Sequence, residues 1–227
     1  MNHPLDRPVW SALNTGWRDL ALGDGRALQL NPAYGPFAAT ANASPTDLGA
    51  LSAFKVGVDG LWLQETEPLS APPPAGLVVE RSALVTQMVA ETVTPGEAVF
   101  QLVSLGEDDA PAMQALAALT RPGPFAERTH QLSPFIGVKK DGRLVAMAGE
   151  RMQLDAFAEV SGVCTDPDHR GQGYAAGLMR VVARRILARG QTPFLHAYAA
   201  NTGAARLYET LGFRARRDTV VTVLRRA

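Results

Sequence analysis

The 227-residue sequence has a single cysteine, no net charge and no long apolar run. One cysteine, Cys164, cannot form a disulfide within the chain, so we expect a reducing, cytoplasmic setting. Lysine and arginine together number 22, as do aspartate and glutamate, so the overall charge does not indicate a nucleic-acid or membrane partner. No apolar run approaches the roughly 20 residues that span a bilayer, and the first residues lack a signal-peptide pattern. We therefore expect a soluble intracellular protein.

The charges are unevenly distributed along the chain. Residues 143–227 hold 13 arginines against seven acidic residues, whereas residues 1–142 hold nine lysines or arginines against 15 acidic residues. The last part is therefore net +6 and the first part net −6. A basic end suits a polyphosphate ligand, although a chance drift of solvated arginines gives the same count.

The most informative segment links a predicted strand to a predicted helix. Residues 157–165 mix β-branched and small residues and end at Asp166-Pro167, which is typical of a strand followed by a break. From Ala175 onward, apolar residues recur every three or four positions until Gly190, and this periodicity predicts a helix. The segment therefore has the order strand, loop, helix.

The loop itself contains Arg170, Gly171 and Gly173. Glycine adopts backbone angles that a Cβ blocks, so successive N–H groups can point at one anion while the helix dipole adds partial positive charge. Arg170 adds a full charge beside them. This combination predicts a pyrophosphate-binding site.

Residues 171–176 also satisfy the dinucleotide fingerprint G-x-G-x-x-A. A dinucleotide-binding fold needs an acidic residue about 20 positions further on, whereas the next predicted strand runs into Asn201. Only 56 residues follow Gly171, which is too few for the rest of a doubly wound domain. A nicotinamide or flavin site is therefore disfavoured.

Two motifs together resemble the GNAT superfamily of N-acetyltransferases. The run 170–175, Arg-Gly-Gln-Gly-Tyr-Ala, is similar to the R-x-x-G-x-G/A loop of that superfamily, and residues 201–213 are similar to its later N-x-x-A-x-x-L-Y-x-x-x-G-F segment. The close match covers the last quarter of the chain, and the coarse pattern extends over residues 97–227. The resemblance implies an α/β (α+β) fold with a mixed, mostly antiparallel central sheet flanked by helices. It also implies acetyl-CoA as co-substrate and no metal.

The second motif can also be interpreted without the family. Asn201 is a good N-cap, and Ala204 and Leu211 favour a short helix that ends at Gly212. Tyr208 shares a face with Ala204 and Leu211, so it points toward the sheet. A core tyrosine with a satisfied hydroxyl is the structural alternative.

The resemblance implies roles for residues of both motifs. Tyr208 aligns with the tyrosine that such enzymes use as general acid toward the coenzyme A sulfur, and a phenol with a pKa near 10 stays neutral at pH 7. The backbone N–H near Val163 is the expected partner of the thioester carbonyl, and this strand would pair with the pantetheine arm. The donor-binding residues implied are Val163, Cys164, Thr165, Arg170, Gly171, Gln172, Gly173, Tyr174, Ala175, Asn201 and Ala204.

A carboxylate could take the proton of the acceptor amine. The period of two in a strand places Glu159 on one face with Ser161, Val163 and Thr165, so Glu159 is the expected base. Glu150 on the preceding strand is a rival, a dedicated base is not always needed, and an ion-paired structural glutamate is the alternative. The acidic cluster before Arg170 is better explained as surface and cap chemistry than as a metal site.

The best candidate for a domain boundary is Thr94-Pro95-Gly96. We predict an auxiliary N-terminal α/β domain over residues 1–94, which is either an extension or a degenerate half without a phosphate site. A GNAT-like, acyl-CoA-binding catalytic domain follows over residues 95–227. Its predicted order is β, α, loop, β, β, β, α, β, α, β, β.

These patterns and the resemblance predict an N-acetyltransferase. It would transfer the acetyl group of acetyl-CoA to a primary amine of a small molecule or peptide by direct attack in a ternary complex, with a homodimer as one option. A longer-chain acyl-CoA donor, or an amino-acid acceptor as in the glycine N-acyltransferase-like branch, stays open. A non-catalytic acyl-CoA sensor is a third alternative, but binding alone does not require a proton donor such as Tyr208.

Overall fold

A computed structural model describes residues 3–69 and 71–227. The α-helices are α1 (Pro8–Asn14), α2 (Pro45–Ala50), α3 (Ala110–Thr120), α4 (Tyr174–Ala188) and α5 (Thr202–Thr210). The strands are β1 (Ala21–Gly23), β2 (Ala27–Leu30), β3 (Ala38–Thr40), β4 (Leu61–Glu65), β5 (Leu77–Val89), β6 (Val103–Leu105), β7 (Phe135–Lys140), β8 (Arg143–Gln153), β9 (Phe157–Thr165), β10 (Thr192–Tyr198) and β11 (Arg214–Arg226).

Eight of these strands form one sheet in the order β4-β11-β5-β10-β9-β8-β7-β6, and β1, β2 and β3 form a small second sheet. Neighbouring strands of the large sheet are antiparallel except β9 and β10, which are parallel. The predicted fold class, a mixed and mostly antiparallel sheet flanked by helices, is confirmed.

The large sheet draws strands from both parts of the chain. Strand β5 lies between β10 and β11, and β4 pairs with the other edge of β11. The sheet therefore continues across the boundary predicted at residues 94 and 95, and the division into two domains stays a prediction. The sequence predicted two final strands, but β11 is continuous from Arg214 to Arg226.

The two faces of the sheet are covered by different elements. On the first, which we call the α4 face, Leu178, Val182 and Ile186 of α4 pack against strand residues in a fully buried cluster. On the second, the N-terminal face, Trp17 and Phe37 pack against the sheet. Burying each such side chain contributes about 1.5–3 kcal/mol. Within the described ranges, no helix combines the length and apolarity needed to cross a bilayer.

Strand β9 contains a bulge that changes which face its residues occupy. Cys164 lies opposite Met147 but Ser161 lies opposite Gly149, so β9 has one residue more than β8 between these pairs. Gly162 lies in the bulge with φ +63°, and a Cβ there would meet the Phe135 ring at 2.7 Å. The predicted common face for Glu159 and Val163 is therefore wrong: Val163 packs on the α4 face, whereas Glu159 lies on the N-terminal face.

Candidate active site

A cleft opens where the parallel strands β9 and β10 separate. They pair only over residues 157–159 and 192–194. Beyond this point β10 pairs with β5, and β9 pairs with β8. The cleft between them has a volume of about 770 Å³. The edges of β9 and β10 that face it carry backbone groups available to a ligand.

The structure brings together every donor-binding residue predicted from the sequence, and Tyr208 with them. The residues that line the cleft include Val163, Cys164, Thr165, Arg170, Gly171, Gln172, Gly173, Tyr174, Ala175, Asn201, Ala204 and Tyr208. Glu159 is the one predicted site residue that does not line it. The location of these residues is thus established, whereas the role of each stays a prediction.

The loop before α4 leaves backbone donors free for an anion. Gly171 and Gly173 have φ of +77° and +76°, angles that residues with a Cβ adopt only with strain. Gly173 is the N-cap of α4, and among the described residues no side chain caps this helix. The first N–H groups of α4 therefore keep their hydrogen-bonding capacity beside the positive end of the helix dipole.

The acidic residue before this loop has a structural role, as expected. The Asp166 carboxylate accepts hydrogen bonds from the Asp168 backbone N–H at 3.0 Å and from Arg143 at 2.6 Å. The first of these bonds, followed by the charge of Arg143, lowers the pKa of Asp166 against the effect of desolvation. In the part of the chain that the structure describes, no three His, Cys, Asp or Glu side chains gather as a metal site would require.

Helix α5 presents Tyr208 to the cleft. Its N-cap is Asn201, whose Oδ1 accepts a hydrogen bond from the Ala204 N–H at 3.2 Å. The Tyr208 ring packs edge-on against Phe213, with centroids 6.5 Å apart. Burial raises the pKa of Tyr208 above its ordinary value of 10. The hydroxyl makes no hydrogen bond to any residue in 3–69 or 71–227, so it is a protonated donor available to a ligand.

Cys164 is unsuited to act as a nucleophile. It is buried, and this burial raises the pKa of its thiol to about 11. Because the thiolate is the reactive form, Cys164 is almost entirely unreactive at neutral pH. Chemistry in this cleft is thus not expected to pass through an acyl-cysteine.

Glu159 forms a buried ion pair on the N-terminal face. Its side chain is 1% exposed, and its two oxygens accept hydrogen bonds from Arg151 at 2.7 and 2.8 Å. His196 Nδ1 lies 2.8 Å from Glu159 Oε1. Burial alone would raise the pKa of Glu159, but the charge of Arg151 and the bonds from His196 and Arg151 lower it to about 2. The carboxylate is therefore a weak base that reaches the cleft only through His196, which lines it.

The second ring nitrogen of His196 is held by β5. Gln87 Nε2 lies 3.1 Å from His196 Nε2, while Gln87 Oε1 accepts a hydrogen bond from Arg216 at 2.9 Å. Since the amide oxygen is engaged with Arg216, the amide nitrogen donates to His196 Nε2, and this assigns the ring proton to Nδ1, facing Glu159. The sequence patterns did not identify either His196 or Gln87 as part of this arrangement.

The rival carboxylate, Glu150, is tied to a different arginine. It is 3% exposed and accepts hydrogen bonds from Arg189 at 2.6 and 3.0 Å. It also accepts a bond from Gln153 at 2.8 Å and does not line the cleft. Its position therefore favours a structural role.

Comparison with known proteins places the chain in a family. A family model described as FR47-like protein matches residues 136–222. A solved structure from Novosphingobium aromaticivorans, assigned to the GNAT family of acetyltransferases, is 48% identical over 100% of both chains, with a TM-score of 0.91. Because this likeness extends over the whole length, the chain belongs to the GNAT family of acetyltransferases.

More distant relatives add to this picture. A GCN5-related N-acetyltransferase from Kribbella flavida, 18% identical over 95% of this chain and 93% of its own, has a TM-score of 0.64 and shows the shared fold alone. The ribosomal protein bS18 alanine N-acetyltransferase of Escherichia coli K12 is 29% identical over 116 residues, which are 48% of this chain and 78% of that protein.

Proposed function

We propose that this protein is an N-acetyltransferase that transfers the acetyl group of acetyl-CoA directly to a primary amine. One observation carries the proposal: the Gly171–Gly173 loop before the uncapped α4, the edge of β9 beyond its pairing with β10, and the Tyr208 hydroxyl surround the same cleft. A cleft for binding alone would not need a buried, protonated phenol. The acetyl donor is supported by the E. coli relative, which is itself an acetyltransferase.

The donor would be held by backbone and arginine together. The pyrophosphate accepts hydrogen bonds from the N–H groups between Gly171 and Ala176, and Arg170 adds charge beside them. The pantetheine arm pairs with the free edge of β9 at Val163–Thr165. This arrangement brings the thioester carbonyl to the N–H of Val163, next to the bulge.

The reaction needs two proton transfers, and a different residue serves each of them. The amine nitrogen forms a bond to the carbonyl carbon and the bond from that carbon to sulfur breaks. The leaving sulfur takes a proton from the Tyr208 hydroxyl, and the Val163 N–H stabilises the negative charge on the carbonyl oxygen. A buried phenol with a raised pKa remains protonated until it is used.

His196, on the N-terminal face, accepts the proton that the acceptor amine loses. Glu159 acts through His196 and not by direct contact, since its carboxylate is enclosed by Arg151 and His196. Glu159 orients the ring, and His196 receives the amine proton at Nε2 in place of the bond from Gln87.

The first experiment is calorimetric titration of the purified protein with acetyl-CoA, followed by thiol release with a panel of amines. The panel contains free amino acids, simple amines and peptides with an N-terminal alanine, the last because of the E. coli relative. Binding with thiol release for one acceptor class is the expected result. Binding without release for any acceptor would favour a sensor, and absence of binding would overturn the donor site.

A further inference from the structure

A second groove adjoins the donor cleft on the N-terminal face. It has a volume of about 640 Å³, which suits a small molecule. It lies between α3 with its following loop and the region of Trp62 and Arg81. Arg121 and Tyr198 line both the groove and the donor cleft, so a molecule in the groove has access to the thioester.

The groove presents guanidinium groups without carboxylate partners. Arg81 stacks over the Trp62 ring, with its central guanidinium carbon 4.7 Å from the ring centroid, and contacts the Tyr198 hydroxyl at 3.4 Å. Within the described residues, neither Arg81 nor Arg121 forms an ion pair with a carboxylate. Asp59 is the one acidic residue that lines the groove, so the local charge is positive.

The end of α3 places Arg121 between the two cavities. Arg121 ends α3 with φ +51°, a conformation that glycine or asparagine adopts at lower cost. This is the left-handed C-cap in which many helices end, and the Arg121 backbone N–H donates to the Ala117 carbonyl oxygen at 2.8 Å. The side chain of Arg121 stands where the groove and the cleft meet.

We infer that the acceptor is a small amine that also carries a carboxylate, as an amino acid does, and that Arg81 binds this carboxylate. The inference rests on the proposed function and names its acceptor class. A guanidinium that lies over an indole ring presents paired N–H donors that match a carboxylate, and one bidentate pair of this kind fixes orientation as well as affinity. The amine is then directed past Tyr198 toward the bulge of β9.

Turnover of matched substrates tests this assignment. Amino acids are compared with their carboxamides, and ω-amino acids with the alkylamines of equal length, using thiol release. We expect kcat/KM at least about 10-fold higher for the member with the carboxylate. Arg81→Met keeps the aliphatic stem over Trp62, and it should remove this preference while it changes turnover of the uncharged members less than about twofold. Arg185→Met, an exposed position outside both cavities, is the control.

Equilibrium binding keeps the inference testable apart from activity. N-acetyl amino acids and their N-acetyl amides are titrated into the protein with and without coenzyme A. Stronger binding of the acids, lost in Arg81→Met but not in Arg185→Met, would support the site even if no amine released thiol, a result that would overturn only the proposed function. Equal binding of acids and amides, no binding of either, or preferred turnover of alanine-initiated peptides would overturn the assignment of Arg81.

Discussion

The cleft at Tyr208 and the groove at Arg81, which we propose hold the acetyl donor and the acceptor, are neighbours that are built by different means. The cleft takes its binding groups largely from backbone, at the loop before α4 and the edge of β9, and its residues come from three segments, 120–122, 163–176 and 196–208. The groove takes its groups from side chains that lie far apart in sequence, such as Trp62, Arg81 and Phe125. A backbone site tolerates sequence change and fits a constant ligand, whereas a side-chain site can change with its substrate. The following substitutions test the cleft and the side-chain contacts of the N-terminal face one at a time.

Gly173→Asp should have the largest effect, because it places bulk and negative charge at the pyrophosphate site. Loss of two charge-assisted hydrogen bonds corresponds to about 4 kcal/mol, so the Kd for acetyl-CoA should rise about 1,000-fold in calorimetry. Gly142→Asp is the matched control, since Gly142 has φ +77° in an exposed turn where a Cβ also meets open space. Equal donor affinity in the two variants would contradict the phosphate-loop assignment.

Glu159→Gln should destabilise the N-terminal face by about 3 kcal/mol, because it leaves Arg151 with a neutral partner in a buried site. Chemical denaturation measures this loss. Glu80→Gln is the control: Glu80 pairs with Arg225 at 2.6 Å, but both side chains are more than a third exposed, so a loss of less than about 1 kcal/mol is expected. A small loss in Glu159→Gln would mean that the pair contributes little.

The same pair predicts a pH dependence. The pKa of Glu159 is about 2 in the folded protein against an ordinary value of 4.5, so its contribution to stability is complete above pH 4.5 and is lost as the pH falls toward 2. This shift corresponds to about 3 kcal/mol. Asp6, whose pKa is also about 2, titrates in the same window, so the measurement is the difference between wild type and Glu159→Gln. Parallel curves for the two proteins would rule out the linkage.

Tyr208→Phe tests the chemistry of the cleft without changing its shape. Loss of a general acid should lower kcat about 100-fold while the Kd for acetyl-CoA changes little, because the hydroxyl serves the leaving sulfur and not the bound donor. Tyr34→Phe is the control outside the cleft, where the hydroxyl donates to Gln131 at 3.3 Å, and it should leave kcat unchanged. Equal kcat in Tyr208→Phe and wild type would remove the acid role.

The sequence was sufficient for the cleft because its parts are local. A contiguous run from Arg170 to Ala175 forms the loop, and a second run from Asn201 forms the helix that presents Tyr208. Glycines, an N-cap and helical periodicity each leave a signal within a few residues. The fold class followed from the same motifs through the family resemblance.

The groove and the ion pair left no such local signal. Gln87 is fully buried on β5 and contacts His196, which is 109 positions away, and no pattern in residues 81–87 distinguishes it from a solvated glutamine. The bulge in β9 was the one feature that a signal could have revealed, since a glycine inside a predicted strand often marks a bulge. A bulge predicted at Gly162 would place Glu159 and Val163 on opposite faces of the sheet.

Asn201→Ala should have the smallest effect, and it compares helix caps in the two regions. Removing the bond from Asn201 Oδ1 to the Ala204 N–H should cost about 1 kcal/mol and lower the Tm by about 2–4 °C. Because α5 presents Tyr208, kcat should fall a few-fold as well. Ser44→Ala removes the equivalent cap of α2, where Ser44 Oγ accepts from the Asp47 N–H at 3.1 Å, and should lower the Tm by a similar amount with kcat unchanged. If both variants lower kcat equally, the loss of activity comes from reduced stability and not from a shift of Tyr208.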